Sequence, residues 1–193
     1  MAIPFFGFRS NARRPAQWHR ITFALLAAAL LFLAGCSNGS ESTLPVGTWE
    51  SSFGEVYEIE ATSIRYLGDG STVSWAAEVV LINDSALNGG DTSVTASGAG
   101  TVNPGFAVIR YTQVNNAGSG EVGKYNVFRW AESDDTPGAL LMTQGSKDAD
   151  LDGDGDPFTG TYVNVVFDTA AAARAGATND AGHFALASTV TAR

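Results

Sequence analysis

Cysteine is nearly missing from this chain. Among 193 residues only Cys36 carries a thiol, so no internal disulfide can form and no thiolate metal cluster can be built. Histidine is almost as scarce: His19 and His183 are the two, and without an H-E-x-x-H or a histidine cluster zinc has no ligand set. No apolar run reaches the roughly 20 residues that a bilayer-spanning helix needs. The run from Ile21 to Gly35 has 15. Positive charge is short as well, and unevenly placed. Four of the 11 basic residues (Arg9, Arg13, Arg14, Arg20) and none of the 20 acidic ones precede Cys36, so the remainder carries seven against twenty, a net charge of −13. A surface of that sign repels phosphate backbones and anionic head groups. This argues against a nucleic-acid partner and leaves any membrane attachment to an anchor.

The beginning of the chain reads as an address. Residues 1–20 form a basic leader without acids, and the 15-residue apolar run that follows has the length of a signal-peptide core. The run ends in Leu33-Ala34-Gly35-Cys36. This tetrapeptide resembles the lipobox of bacterial lipoproteins, in which small residues precede a cysteine that is lipidated and becomes the new N-terminus. The resemblance implies cleavage before Cys36 and a diacylglycerol plus an acyl chain on it, such as palmitate; several chains together anchor firmly where one does not. Ser37, rather than Asp, after the cysteine implies the outer membrane of the cell envelope, on its periplasmic or surface face. Pro15-Ala16 does not continue Arg13-Arg14 as a twin-arginine signal would, so the general secretory route is expected. The alternative is an uncleaved membrane anchor with an incidental cysteine. Residues 1–35 are thus read as signal peptide, 36–45 as a lipidated polar tether, and 46–193 as one domain large enough to bury a core.

From Val46 onward short alternating runs are separated by Gly, Asn, Asp and Pro, the pattern of a sheet. Val73, Trp75, Ala77, Val79 and Leu81 alternate with Thr72, Ser74, Ala76, Glu78 and Val80, predicting one apolar face. Tyr57 and Ile59 alternate with Glu58 and Glu60; Phe106 to Tyr111 is a strand of less clear sidedness. Further strands are expected at Trp49–Phe53, Ile64–Leu67, Lys124–Trp130, Leu140–Thr143, Tyr162–Phe167 and His183–Val190. One short helix is expected over Thr169–Ala175, capped by Asp168, with Arg174 near its C-terminal end and Gly176 as terminator. About eight or nine antiparallel strands must manage their edges, and closing into a barrel does so; a β-sandwich is the alternative. Gly47-Thr48-Trp49 resembles the G-x-W that opens the first strand of lipocalins and related small barrels. The order that follows also resembles small lipocalin-like bacterial lipoproteins: a Tyr-Glu-Ile strand, a Trp-bearing strand, Lys-Tyr…Phe-x-Trp, and a late helix before His-Phe-Ala. The resemblance implies that Trp49 packs across the closed end and that the interior holds a small hydrophobic ligand, such as a fatty acid. An ordinary core tryptophan is the other reading of Trp49.

Asp148, Asp150, Asp152, Asp154 and Asp156 place a carboxylate at every second position, with Gly153 and Gly155 between them. Hard oxygen ligands are gathered around Ca2+ in this way. In an EF-hand register the twelfth position would be Thr159 or Thr161 instead of the bidentate Glu, so a looser calcium loop, or a plain solvated acidic loop, is expected. Gly118-Ser-Gly120-Glu-Val-Gly123 matches G-x-G-x-x-G but precedes a strand, so it reads as a hairpin loop. His183 has no nucleophile elbow to serve, and nothing singles out a carboxylate pair for glycoside chemistry. Trp75 and Trp130 are the candidates for lining a ligand cavity, with plain core as the competing role. The chain is therefore read as a non-enzymatic, membrane-anchored β-barrel. Either it carries a small hydrophobic ligand, or it is a surface interaction or envelope-structural module with a calcium-ordered loop.

Overall fold

The computed structural model describes residues 44–149 and 161–193. Ten strands appear: β1 (Gly47–Ser51), β2 (Val56–Glu60), β3 (Ser63–Leu67), β4 (Val73–Asn83), β5 (Val102–Val114), β6 (Tyr125–Glu132), β7 (Leu140–Gln144), β8 (Ser146–Ala149), β9 (Thr161–Asn164) and β10 (Ser188–Ala192). Among the described residues one α-helix, α1 (Ala170–Gly176), precedes the last strand. Eight strands close into an antiparallel barrel in the order β1-β10-β7-β6-β5-β4-β3-β2. β8 and β9 pair with each other in a separate hairpin. The barrel and the late helix are as expected, and the sandwich is set aside.

Alternation explains the simpler strands. Tyr57 and Ile59 of β2 point into the barrel, while Glu58 faces out and pairs with Arg65 of β3 at 2.5 Å. The pattern in β4 needs a correction. Trp75, Ala77 and Val79 pack inward as expected, but the register shifts between Val79 and Leu81, and Ile82 then takes the inward place. Leu81 is left 36% exposed, because a bulge inserts one residue and reverses the faces beyond it. The beginning of the domain also shifts. Leu44, read as tether, is buried in the barrel core.

A second apolar cluster lies outside the barrel, against β5 and β6. Phe106, Val108, Val127 and Ala131 point outward there and are covered by Leu87 and Val94 of the β4–β5 connection, Ala173 and Ala177 at α1, and Phe184. Arg129 is buried among them. Its guanidinium donates to Asn88 Oδ1 at 2.8 Å, Asp91 Oδ2 at 2.6 Å and Asn179 Oδ1 at 3.1 Å, and lies 3.6 Å from the Phe184 ring centre. These bonds tie two distant stretches of chain, the β4–β5 connection and the segment after α1, to one side chain.

Helix α1 starts one residue later than expected, and its cap differs. Thr169 is the N-cap, its Oγ1 accepting from the Ala172 N–H at 3.1 Å. Asp168 instead pairs with Lys124 at 2.5 Å. Gly176 closes the helix from inside; a Cβ there would stand 2.8 Å from the Phe167 ring. The strand expected over His183–Val190 is shorter, Ser188–Ala192, because Phe184 is drawn into the outer cluster.

Candidate functional site

The connections β1–β2, β3–β4, β5–β6 and β7–β10 share one end of the barrel by its up-and-down order. The opposite end is closed by Leu44, with Trp49 packed against the core and its Nε1–H donating to the Pro45 carbonyl at 2.9 Å. Between the ends the barrel is solid. Trp75, Phe128 and Met142 are fully buried, and Tyr111 is nearly so. Eight strands leave an interior just wide enough for side chains to fill.

The two tryptophans singled out from the sequence belong to this filling. Trp75 stacks on Tyr66 with ring centres 5.6 Å apart and meets Tyr111 edge-on at 5.7 Å. Trp130 packs on Phe128 and lies against Gly105. Neither lines the cavity at the barrel mouth, which sits above them.

That cavity has a volume of about 560 Å³. Tyr57, Tyr66 and Met142 form its floor; Glu55, Gln144 and Ser188 stand on the barrel rim; the β5–β6 loop at Ala117–Ser119 and Tyr162 and Asn164 of β9 make the far wall. The glycine-rich stretch at Gly118 is a hairpin loop, as its sequence suggests, and the Asn164 N–H donates to the Gly118 carbonyl at 2.7 Å. The Asn164 side chain holds the wall together. Its Nδ2 donates to the Ser119 carbonyl at 2.6 Å and to the Tyr111 hydroxyl at 3.2 Å, while its Oδ1 accepts from Gln144 Nε2 at 2.8 Å. Gln144 Oε1 is buried and has no partner among the described residues.

Glu55 is the charged group of the cavity. It accepts from the Tyr66 hydroxyl at 2.8 Å and from Ser188 Oγ at 2.5 Å. Burial, first, pushes the Tyr66 phenol up, helped by its bond to the Glu55 carboxylate; burial, then Tyr66 and Glu55, do the same to Tyr57. Both phenols therefore stay neutral, and Tyr66 is the donor to Glu55. A second hollow adjoins the first, sharing Tyr66 and Ser119, and contains Asp69 in the β3–β4 turn. The backbone N–H groups of Thr72 and Ser71 lower the Asp69 carboxyl to about 2. No basic residue is among the described residues lining either hollow.

Spacing in the sequence does not reveal this mouth. Glu55, Tyr66, Gln144, Asn164 and Ser188 come from five separate elements and share no motif. His183 does not line the mouth; it lines a neighbouring hollow with Lys147, Val165, Val166, Phe167 and Asn164, the last shared with the mouth wall. Cys36 and Asp150, Asp152, Asp154 and Asp156 lie outside the described residues; Asp148 is in β8, its backbone opposite Tyr162. Among the described residues no three His, Cys, Asp or Glu side chains gather as metal ligands, and no helix is long and apolar enough to cross a membrane. Compared with protein-family models, with curated proteins and with solved structures, the chain gives no significant match.

Proposed function

We propose that this is an exported, membrane-anchored binding protein of the bacterial envelope that holds a small molecule in the mouth of its barrel. The carrying observation is the mouth cavity of about 560 Å³, within the usual range for small-molecule sites, with an aromatic floor and a polar rim. The anchor rests on Leu33-Ala34-Gly35-Cys36, with diacylglycerol and an acyl chain on Cys36. The filled interior moves the site of the expected hydrophobic carrier outward, so the ligand presents its apolar part to Tyr57, Tyr66 and Met142 and a polar part to the rim. A fatty acid suits this mouth poorly, because its carboxylate would meet Glu55 and no cation.

Native mass spectrometry of the full chain, extracted from membranes in a mild detergent, tests this. A co-released small molecule is expected, and it should disappear in Ala117→Trp, which fills the mouth from an exposed loop position. Bare protein from every extract would sink the reading. The same spectra should show a lipid mass increment that Cys36→Ser removes.

A second reading has its own observation. In sequence, residues 150–160 connect β8 to β9, the strand that supplies Tyr162 and Asn164 to the mouth wall. A calcium-ordered loop there would make the protein a surface interaction module instead. Calcium adducts lost in an Asp148/Asp150/Asp152 alanine variant would favour it; calcium-independent hydrogen exchange in the hairpin would count against it.

A further inference from the structure

We propose that the mouth takes a small organic cation, an amine or a quaternary ammonium, held by the Glu55 carboxylate against the tyrosine floor. The inference rests on the binding reading above and specifies its ligand class.

The first ground is an unbalanced carboxylate. Glu58, Glu78, Glu50, Asp91 and Asp168 each have a basic partner within 4.0 Å: Arg65, Arg110, Arg193, Arg129 and Lys124. Glu55 is half-buried, yet among the described residues it forms no ion pair and is hydrogen-bonded by two neutral hydroxyls. Those bonds fix its direction without cancelling its charge. A partly desolvated charge without a counter-ion is costly, and a bound cation relieves that cost.

The second ground is the aromatic floor. Tyr57 and Tyr66 have ring centres 4.9 Å apart and are tilted by 43°, so their surfaces form an angled wall beneath Glu55. Aromatic faces carry negative quadrupole density, and aromatic walls with a nearby carboxylate suit alkylammonium groups, whose methyls also gain from apolar contact. Trp75 stacks beneath Tyr66 and keeps that ring from turning. The third ground is the field around the site. Asp69, ionised well below neutral pH, stands in the adjoining hollow, and the chain from Cys36 onward carries −13. Cations are drawn to this end and anions are turned away.

The test is calorimetric titration of the full chain in neutral detergent with choline and with its neutral carbon isostere dimethylbutanol. Equal shape isolates the charge. Choline should bind about tenfold more tightly than the isostere, and added salt should weaken choline alone. Glu55→Gln keeps a hydrogen-bond acceptor for Ser188 and should remove most of the preference. Tyr66→Phe keeps the ring and should retain choline binding; Tyr66→Leu should not. The wild-type salt dependence decides the matter even if a variant folds poorly. Equal binding of the two probes, blocked by Ala117→Trp, would overturn the cation while leaving the mouth as a binding site. Failure of both at millimolar concentration would overturn the cation as well, and the mouth reading would then stand or fall on the co-released mass.

Discussion

Phe128 and Arg129 are neighbours in the chain, and both are fully buried. They point to opposite faces of β6, into two differently built interiors. Inside the barrel, aromatic rings meet at tilted and edge-on angles, and apolar contact does nearly all the holding; even the Trp75 indole N–H has no partner among the described residues. Outside, the apolar groups are mostly smaller and gather around one guanidinium. Asn88, Asp91, Asn179 and the carbonyls of Val94 and Ala177 all turn toward Arg129, and Asn88 also reaches the Ala177 carbonyl with its amide. The inner core tolerates approximate chemistry if volume is kept. The outer one depends on a complete hydrogen-bond set, because any member left alone is a buried polar group without compensation.

Removing the guanidinium should therefore break the comparison most visibly. Arg129→Ala removes the ion-pair partner of Asp91, leaving it the Asn179 N–H alone, and takes a donor from several carbonyls; a loss of about 3–5 kcal/mol is expected by urea unfolding. Amide exchange should accelerate first in residues 88–100 and 173–184, with Ile59 and Ile64 of the inner core affected later. Arg129→Met combined with Asp91→Asn should cost less than the two single losses added together, since the pair acts as a unit. A uniform loosening of both regions would mean that the outer cluster has no separate cooperativity.

The inner core can be stressed from its backbone side. Gly105 sits opposite Trp130 in the β5–β6 pairing, and a Cβ there would come within 2.5 Å of the indole ring. Gly105→Ala should cost about 1–3 kcal/mol through displacement of Trp130, with a shift in tryptophan emission. A neutral outcome would show that the indole has room to move, and with it that the barrel holds more free space than its buried residues imply.

The same contrast governs what could be read from the sequence. Where one face of a strand is wet, alternation shows it, as for Tyr57 and Ile59 against Glu58 and Glu60. β5 shows no clear sidedness in sequence because both its faces are buried: Ala107, Ile109 and Tyr111 inside, Phe106 and Val108 outside. Alternation alone places Leu81 on the inward face, since a bulge leaves no mark in an apolar run. The mouth is less legible still. Barrel closure brings Glu55 to Ser188, 133 positions away in sequence, and no local pattern encodes that meeting. The aromatics that stood out, Trp75 and Trp130, did so by size, which in a narrow barrel marks filling and not lining.

His183 offers the smallest and most local test, at the rim of the outer cluster. Its ring meets Phe167 edge-on at 6.1 Å. Burial lowers its pKa from the ordinary value and the nearby Lys147 charge lowers it further, against a backbone hydrogen bond at Gly176 that raises it. The unfolded chain therefore takes up this proton first as the pH falls through about 6.5, and in that interval folding is progressively disfavoured. The loss stops once the folded histidine also protonates. Because the ring is partly exposed, the expected shift is roughly 1 °C in Tm between pH 8 and pH 5 beyond that of His183→Gln. Equal pH dependence in the two proteins would mean that the imidazolium is accommodated at the rim without cost. A larger drop in wild type, accompanied by early exchange in residues 173–184, would instead show the imidazolium loosening the outer cluster while the barrel beneath it stays closed.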